Sequence, residues 1–199
     1  QIVTFLWRAA GSPVVNYILP FEDVAESSYY AEAVRWALSE GITTGTGDTA
    51  FGPDAACTRA QAVAFLFRYA AASGMDAVTL ADLISGFADA ASVPGYAVSA
   101  MNWALSQGIT TGTADGRFAP DATCTRAQGM TFLFRASKAS ADGAPAFSDV
   151  AADAYYAEAV KWATDNGITN GTTSSTFSPG SGCTRAQIVT FLWRLYAEK

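Results

Sequence analysis

Three arginines stand in the same surroundings. The pentapeptide CTRAQ occurs at positions 57–61, 124–128 and 183–187, placing Arg59, Arg126 and Arg185 between a threonine and Ala-Gln. Thr58 and Gln61 have the spacing of a capping box, in which the threonine hydroxyl accepts from the third helical amide and the glutamine reaches back to the N-cap amide. Thr125 with Gln128 and Thr184 with Gln187 repeat the pairing. Each arginine therefore falls at the first position of a helix, where the positive end of the helix dipole disfavours a cation by roughly 0.3 to 1 kcal/mol. Two kinds of chemistry would offset that cost. One is an ion pair with a carboxylate at the start of each unit, Asp23, Asp89 or Asp149, stapling two elements together. The other is capture of an external anion, because a guanidinium beside free helix amides suits a bidentate carboxylate or phosphate. The two are compatible, since a pair can also orient an arginine for a ligand.

Other chemistries lack their parts. The chain has no histidine, so zinc sites of the usual kinds and histidine-activated nucleophiles are not expected, and no metal, cofactor or catalytic residue is assigned. Glu32 and Glu158 recur on a solvated helix face, and no second carboxylate can be placed across a cleft to make a hydrolytic pair. The three cysteines, Cys57, Cys124 and Cys183, mark the repeat rather than a bridge. Cysteine fits a buried position before an N-cap as a small hydrophobe, and three reduced thiols are expected. A bridge between equivalent positions would need α-carbons within about 7 Å. A reactive thiol would be favoured by the helix end but opposed by burial.

The elements that position these residues recur with them. Units open at FEDV (Phe21), FADA (Phe87) and FSDV (Phe147); the first and third align without a gap, while the middle one takes an extra residue near Val93-Pro94-Gly95. The sequence divides into a remnant and linker over 1–20, a first unit over 21–73, a linker over 74–86, a second unit over 87–137, a linker over 138–146 and a third unit over 147–199. Within each unit, the stretch SYYAEAVRWALSEGI and its counterparts predict a first helix, with Tyr30, Val34, Ala37 and Leu38 on one stripe and Trp36 off it. Gly41-Ile42, Gly108-Ile109 and Gly167-Ile168 read as helix stops, glycine taking the left-handed position cheaply. A Gly/Thr loop follows, ending in a phenylalanine two residues before a proline. The second helix, opened by TRAQ, is apolar on most faces and belongs at the centre of the assembly. Trp36, Trp103 and Trp162 are equivalent; they suit packing, and an exposed indole also suits stacking on a sugar ring. Tyr30 and Tyr156, on the stripe, are expected to pack.

Composition sets the limits of function. With 199 residues, half of them apolar, the chain can bury a core, and 12 basic against 18 acidic residues leave a net charge of −6. A broad nucleic-acid or anionic-membrane surface is therefore not expected, and an anionic partner must be gripped locally. No window approaches the roughly 18 consecutive apolar residues of a membrane span.

The order F-x-D-V, helix with Gly-Ile stop, G-T loop, F-x-P and TRA followed by a carboxamide resembles the S-layer homology domain in three consecutive copies over residues 21–199. That resemblance implies an all-α fold, mainly helical with long loops, in which three repeats take a pseudo-threefold arrangement around a central helix bundle. It also implies non-covalent anchoring of a surface protein to an anionic, pyruvate-bearing secondary cell-wall polysaccharide, outside the cell on a bacterium with a thick Gram-positive-type wall. The family's binding residues carry over to Arg59, Arg126 and Arg185, to Asp23, Asp89 and Asp149, and to the loop glycines Gly45, Gly112 and Gly171; the tryptophans Trp36, Trp103 and Trp162 join them as groove-facing candidates. Departures are the glutamine in place of the usual acidic last residue of TRAE, cysteine in place of an aliphatic residue before it, and, in the middle unit, Ala90 and Gly95-Tyr96 for the valine and the paired tyrosines. The alternative function is a structural or adhesive array that packs with other proteins and binds no polysaccharide. Finally, QIVTFLWR at positions 1–8 repeats positions 187–194, so residues 1–11 read as a second helix shorn of its CTRA start. It is expected to dock on the neighbouring unit or on a second molecule, which would make it a route to self-association.

Overall fold

The computed structural model describes residues 18–75, 77, 82–143 and 145–197. The expected docking helix at residues 1–11 lies outside them. The described residues form six α-helices and no strand: α1 (Ala31–Ser39), α2 (Arg59–Ala72), α3 (Val98–Ser106), α4 (Arg126–Ala136), α5 (Ala157–Asp165) and α6 (Arg185–Tyr196). The all-α reading holds, and no described helix is long and apolar enough to cross a membrane.

The local signals act as the sequence suggests. Val34 and Ala37 of α1 are fully buried, as are their counterparts Met101 and Ala104 of α3 and Val160 and Ala163 of α5. After α1 the chain turns at Gly41, whose φ of 69° is left-handed. The turn lets the Ile42 amide reach back to the Ala37 carbonyl at 2.8 Å and drops the Ile42 side chain into the core. Gly108 and Gly167 do the same before Ile109 and Ile168. All three capping boxes form in both directions, through Thr58 with Gln61, Thr125 with Gln128 and Thr184 with Gln187.

The loop between the two helices is held by the phenylalanine that opens the unit. Phe21 packs on Phe51, Phe87 on Phe118 and Phe147 on Phe177, and the second ring of each pair is fully buried. Ahead of the middle unit the 74–86 linker ends in a 3-10 turn, Ile84–Gly86; the Ile84 amide and that of the preceding Leu83 both donate to Asn102 Oδ1.

The helices pair between units rather than within them. α3 packs on α2 of the preceding unit, α5 packs on α4, and α1 of the first unit packs on α6 of the last. The backbone beside the cysteines closes the same circuit. The Cys124 amide donates to the Cys57 carbonyl, that of Cys183 to Cys124, and that of Cys57 to Cys183, at 2.8, 2.8 and 2.9 Å. At the centre the long helices meet around a hole of about 10 Å3 lined by Ala62 and Leu66 of α2, Gly129, Phe132 and Leu133 of α4, and Ile188 and Leu192 of α6. Ala62, Gly129 and Ile188 occupy the same place in their repeats, so the bulk of one isoleucine is accommodated where its counterparts are smallest.

Candidate functional site

Each aspartate is consumed inside its own unit. Asp89 takes the Phe118 and Ala119 amides at 2.9 and 2.7 Å, Asp149 those of Phe177 and Ser178 at 2.8 and 2.7 Å, and Asp23 those of Phe51 and Gly52 at 2.8 and 2.7 Å. The residue after the phenylalanine is left-handed, with φ of 71° at Gly52, 55° at Ala119 and 59° at Ser178. That conformation costs a non-glycine residue about 1 to 2 kcal/mol, and it presents two successive amides to the two carboxylate oxygens. The Phe177 amide foremost, with that of Ser178, holds the Asp149 carboxyl below its ordinary value. For Asp89 desolvation is the largest single effect and acts the other way, but the Phe118 and Ala119 amides, with smaller help from Arg117, together outweigh it and leave the carboxyl below its ordinary value. The expected Arg–Asp staple does not form. The ion pairs among the described residues are Arg35 with Glu26 and Glu32, Arg117 with Asp115, and Lys161 with Asp165.

A peptide group stands where the ion pair was expected. Arg59 Nε donates to the Phe118 carbonyl at 2.8 Å, Arg126 Nε to Phe177 at 2.7 Å, and Arg185 Nε to Phe51 at 2.9 Å. Each phenylalanine thus gives its amide to an aspartate of its own unit and its carbonyl to the arginine of the preceding one. The guanidinium also lies over two rings of that next unit, Phe118 and Phe132 for Arg59, Phe177 and Phe191 for Arg126, and Phe51 and Phe65 for Arg185, with centroids 4.7 to 5.6 Å away. Cation–π contacts are worth about 0.5 to 2 kcal/mol, which offsets the unfavourable helix-end position.

The helix amides are not free either, which corrects the other half of the sequence reading. Arg59 N donates to Ala122 O and Ala60 N to Pro120 O, at 2.9 and 3.0 Å. The caps take Thr58 N and Gln61 N. Neighbouring loops close the other two helices in the same way, Ser181 and Pro179 for α4 and Ala55 and Pro53 for α6. An anion at these sites must therefore be held by side chains.

The side-chain groups left over are the outer guanidinium nitrogens. Arg126 Nη2 reaches Thr169 Oγ1 at a long 3.4 Å. Arg59 Nη2 and Arg185 Nη2 are buried with no hydrogen-bond partner, in residues only 3% and 4% exposed. Leaving a charged donor unsatisfied costs more than the roughly 1 to 3 kcal/mol of a neutral one. Burial lowers the proton affinity of all three guanidiniums.

Arg126 opens onto a pocket of about 250 Å3. Thr169, Asn170 and Gly171 of the third unit's loop line it, together with Gln187, Thr190, Phe191 and Arg194 of α6 and Tyr29 of the first unit. All three units thus contribute to one groove. Gly171 is required there for its backbone: with φ of 85°, an added Cβ would lie 2.6 Å from both Phe147 Cε1 and Thr176 O. Gly45 is constrained likewise, with Ala50 O and Phe21 Cε1 at 2.6 Å, and Gly112 is left-handed against Phe87.

The tryptophans are taken up in packing. Trp103 and Trp162 are buried against Phe67 and Phe134, while Trp36 is half-buried against Tyr69. Among the described residues the exposed aromatics are instead Tyr29, Tyr96 and Tyr155. In the middle unit Tyr96 therefore keeps the place of Tyr29, and the buried Ala97 that of Tyr30. Sequence reasoning also passed over Thr43, Thr110 and Thr169, each buried and accepting from the glycine amide two residues on, and the second arginines Arg68, Arg135 and Arg194. Their signal was plain recurrence at equivalent places in the repeats. The thiols are free and buried, pushed up to about 12 at Cys57, to about 11 at Cys183 and higher still at Cys124, in each case chiefly by burial.

Three helix–loop–helix units closed in a circuit, with a buried cation at each junction, define a repeat-built helical module. The chain belongs to the S-layer homology domain family, which it matches at residues 20–63, 86–128 and 146–189. It is 34% identical over 100 residues to the surface-layer 125 kDa protein of Lysinibacillus sphaericus, covering 50% of this chain and 8% of that one. It is also 34% identical over 119 residues to a cell surface protein of Thermoanaerobacter kivui, covering 59% of this chain and 15% of the relative.

Proposed function

We propose that the chain is a non-enzymatic anchoring module that holds a surface protein to the cell wall of a Gram-positive-type bacterium by binding an anionic secondary wall polysaccharide in the grooves between its units. The observation that carries this reading is the pocket of about 250 Å3 that Arg126 lines with the Thr169–Gly171 loop; at the equivalent Arg59 and Arg185 the buried Nη2 atoms have no hydrogen-bond partner, donors left unsatisfied at the same place in the repeat. A ketal-linked pyruvate offers the matching group: a carboxylate on a compact sugar acetal, able to accept from an outer guanidinium nitrogen. The loop threonines and glycines suit the sugar's hydroxyls, and the exposed tyrosines offer faces for a ring. Family membership and the surface proteins among the relatives support the location.

Sedimentation with purified cell wall tests the proposal. The chain should pellet with intact wall and stay in solution with wall whose acid-labile ketals have been hydrolysed. A variant with Arg59, Arg126 and Arg185 replaced by alanine, used only if its helical circular dichroism persists, should also stay in solution. Equal retention by intact and ketal-free wall would sink the carboxylate reading and leave a packing or adhesive array in its place.

A further inference from the structure

The long helices carry a second arginine that the reading above leaves unused. Arg68, Arg135 and Arg194 each donate one Nη1 hydrogen bond to the isoleucine carbonyl after the first helix of their own unit, Ile42, Ile109 and Ile168, at 3.1, 3.2 and 3.3 Å. One such bond occupies one of a guanidinium's five donors. Arg194 lines the same pocket as Arg126, and none of that pocket's lining residues is a carboxylate. At the junction of third and first units, the charge of Arg68 adds to burial in lowering the proton affinity of Arg185. Two like charges are thus collected at the Arg126 pocket with no carboxylate in its lining; Asp149 acts on Arg126 only from behind, its own oxygens held by the Phe177 and Ser178 amides, so an entering anion meets two guanidiniums and no competing carboxylate.

We infer that the groove at Arg126 is built for two negative charges, Arg126 holding the first and the outer Arg194 a second anionic group on the adjoining sugar of the same glycan, and that the repeat-equivalent pairs Arg185 with Arg68 and Arg59 with Arg135 act in the same way. The ligand class is a dianionic glycan segment, the second charge being a uronic carboxylate or a phosphate. This rests on the grooves being anion sites, and it assigns the outer arginines as specificity determinants. A merely structural role for them, clamping the isoleucine carbonyl, would strengthen all ligands alike.

Calorimetric titration of the full chain with two defined probes separates these cases. The first probe is the methyl glycoside of a pyruvate-ketal hexosamine, with one charge; the second is the same sugar joined to glucuronic acid, with two. A third, replacing the glucuronic acid by a sugar phosphate, distinguishes the source of the second charge. The doubly charged probes should bind at least tenfold more tightly than the singly charged one. In the triple variant Arg68→Gln/Arg135→Gln/Arg194→Gln the ratio should fall to about one. The triple lysine variant, which keeps the charges, should retain most of the preference and serves if the glutamine protein fails to fold. A ratio near one in the wild type, or a ratio unchanged while both affinities drop in the glutamine variant, overturns the inference. A loss of preference in the lysine variant as large as in the glutamine variant also counts against it. Binding of no probe at all by the wild type would overturn the anion-groove reading with it, whereas equal binding overturns the second charge alone.

Discussion

An arginine on the first turn of a helix is electrostatically misplaced, and here three of them stay because their surroundings were built by another part of the chain. Each guanidinium has its Nε on a carbonyl and its faces on two rings; at Arg126 it also lines a pocket, while Nη2 of Arg59 and of Arg185 is buried. The aspartate that seemed the natural counter-ion acts one peptide away, fixing the strained turn whose carbonyl the arginine uses. Its removal should therefore be felt first as lost stability. Asp89 and Asp149 titrate below their ordinary 3.8 in the folded chain. Groups so depressed stabilise the fold fully above the unfolded value, and their contribution fades as pH falls through the lower folded one. The double variant Asp89→Asn/Asp149→Asn should melt below the wild type at pH 7, and the gap should narrow as pH drops from about 4 toward 2. A gap independent of pH would show that these carboxylates are not the titrating stabilisers. The arginine's place at a helix start was legible in TRAQ; its partners were not, because a chain pattern records spacing along the backbone and the partner comes from the next repeat.

At the scale of elements, caps, stops and apolar stripes were all legible, since each depends on residues within one turn. The boxes at Thr58, Thr125 and Thr184 and the stops at Gly41, Gly108 and Gly167 form as their local chemistry dictates. Helix pairing was less so. A stripe announces that a helix face is buried and is silent about what buries it, so α3 on α2 had no sequence signature distinct from α3 on α4. Trp36 illustrates the gap: off its stripe it seemed free for a ligand, yet α2 of its own unit supplies Tyr69. Gly129 offers a test at this scale. It weakens α4 by about 0.5 to 1 kcal/mol relative to alanine, and an added Cβ would meet the flexible tip of Ile188 at 3.1 Å and Cys183 Sγ at an ordinary 4.0 Å, beside the small central hole. Gly129→Ala should raise Tm by about 1 to 4 °C in thermal denaturation. A fall would mean that the isoleucine cannot yield.

At the scale of the whole molecule, repeats that trade helices depend on one another. Repeat proteins commonly gain stability as nearest-neighbour interface terms, and here the interface includes the pairing of first with second helices. A segment spanning residues 21–73 contains α1 and α2, but their strongest packing partners, α6 and α3, lie elsewhere. It should show little helical circular dichroism alone, and residues 18–197 should unfold in a single transition. A helical, cooperatively melting 21–73 segment would contradict this. The number of units was legible from three CTRAQ copies; the closing of the circuit was not, because identical repeats fit an open spiral as readily as a closed one.

Closure also decides how the molecule meets a pull. A module that anchors as proposed is loaded through its chain, and the first and last described helices, α1 and α6, lie against each other. Tension drawing these two apart falls on that contact first, as shear along a latch that no covalent bond crosses locally. Arg185 of the third unit donates to Phe51 of the first across the same seam, so a glycan seated there would act as a rivet. Occupancy of that one groove should then set the force at which the ring opens, while the other two grooves, each bridged by the continuous chain, would feel the strain only afterwards.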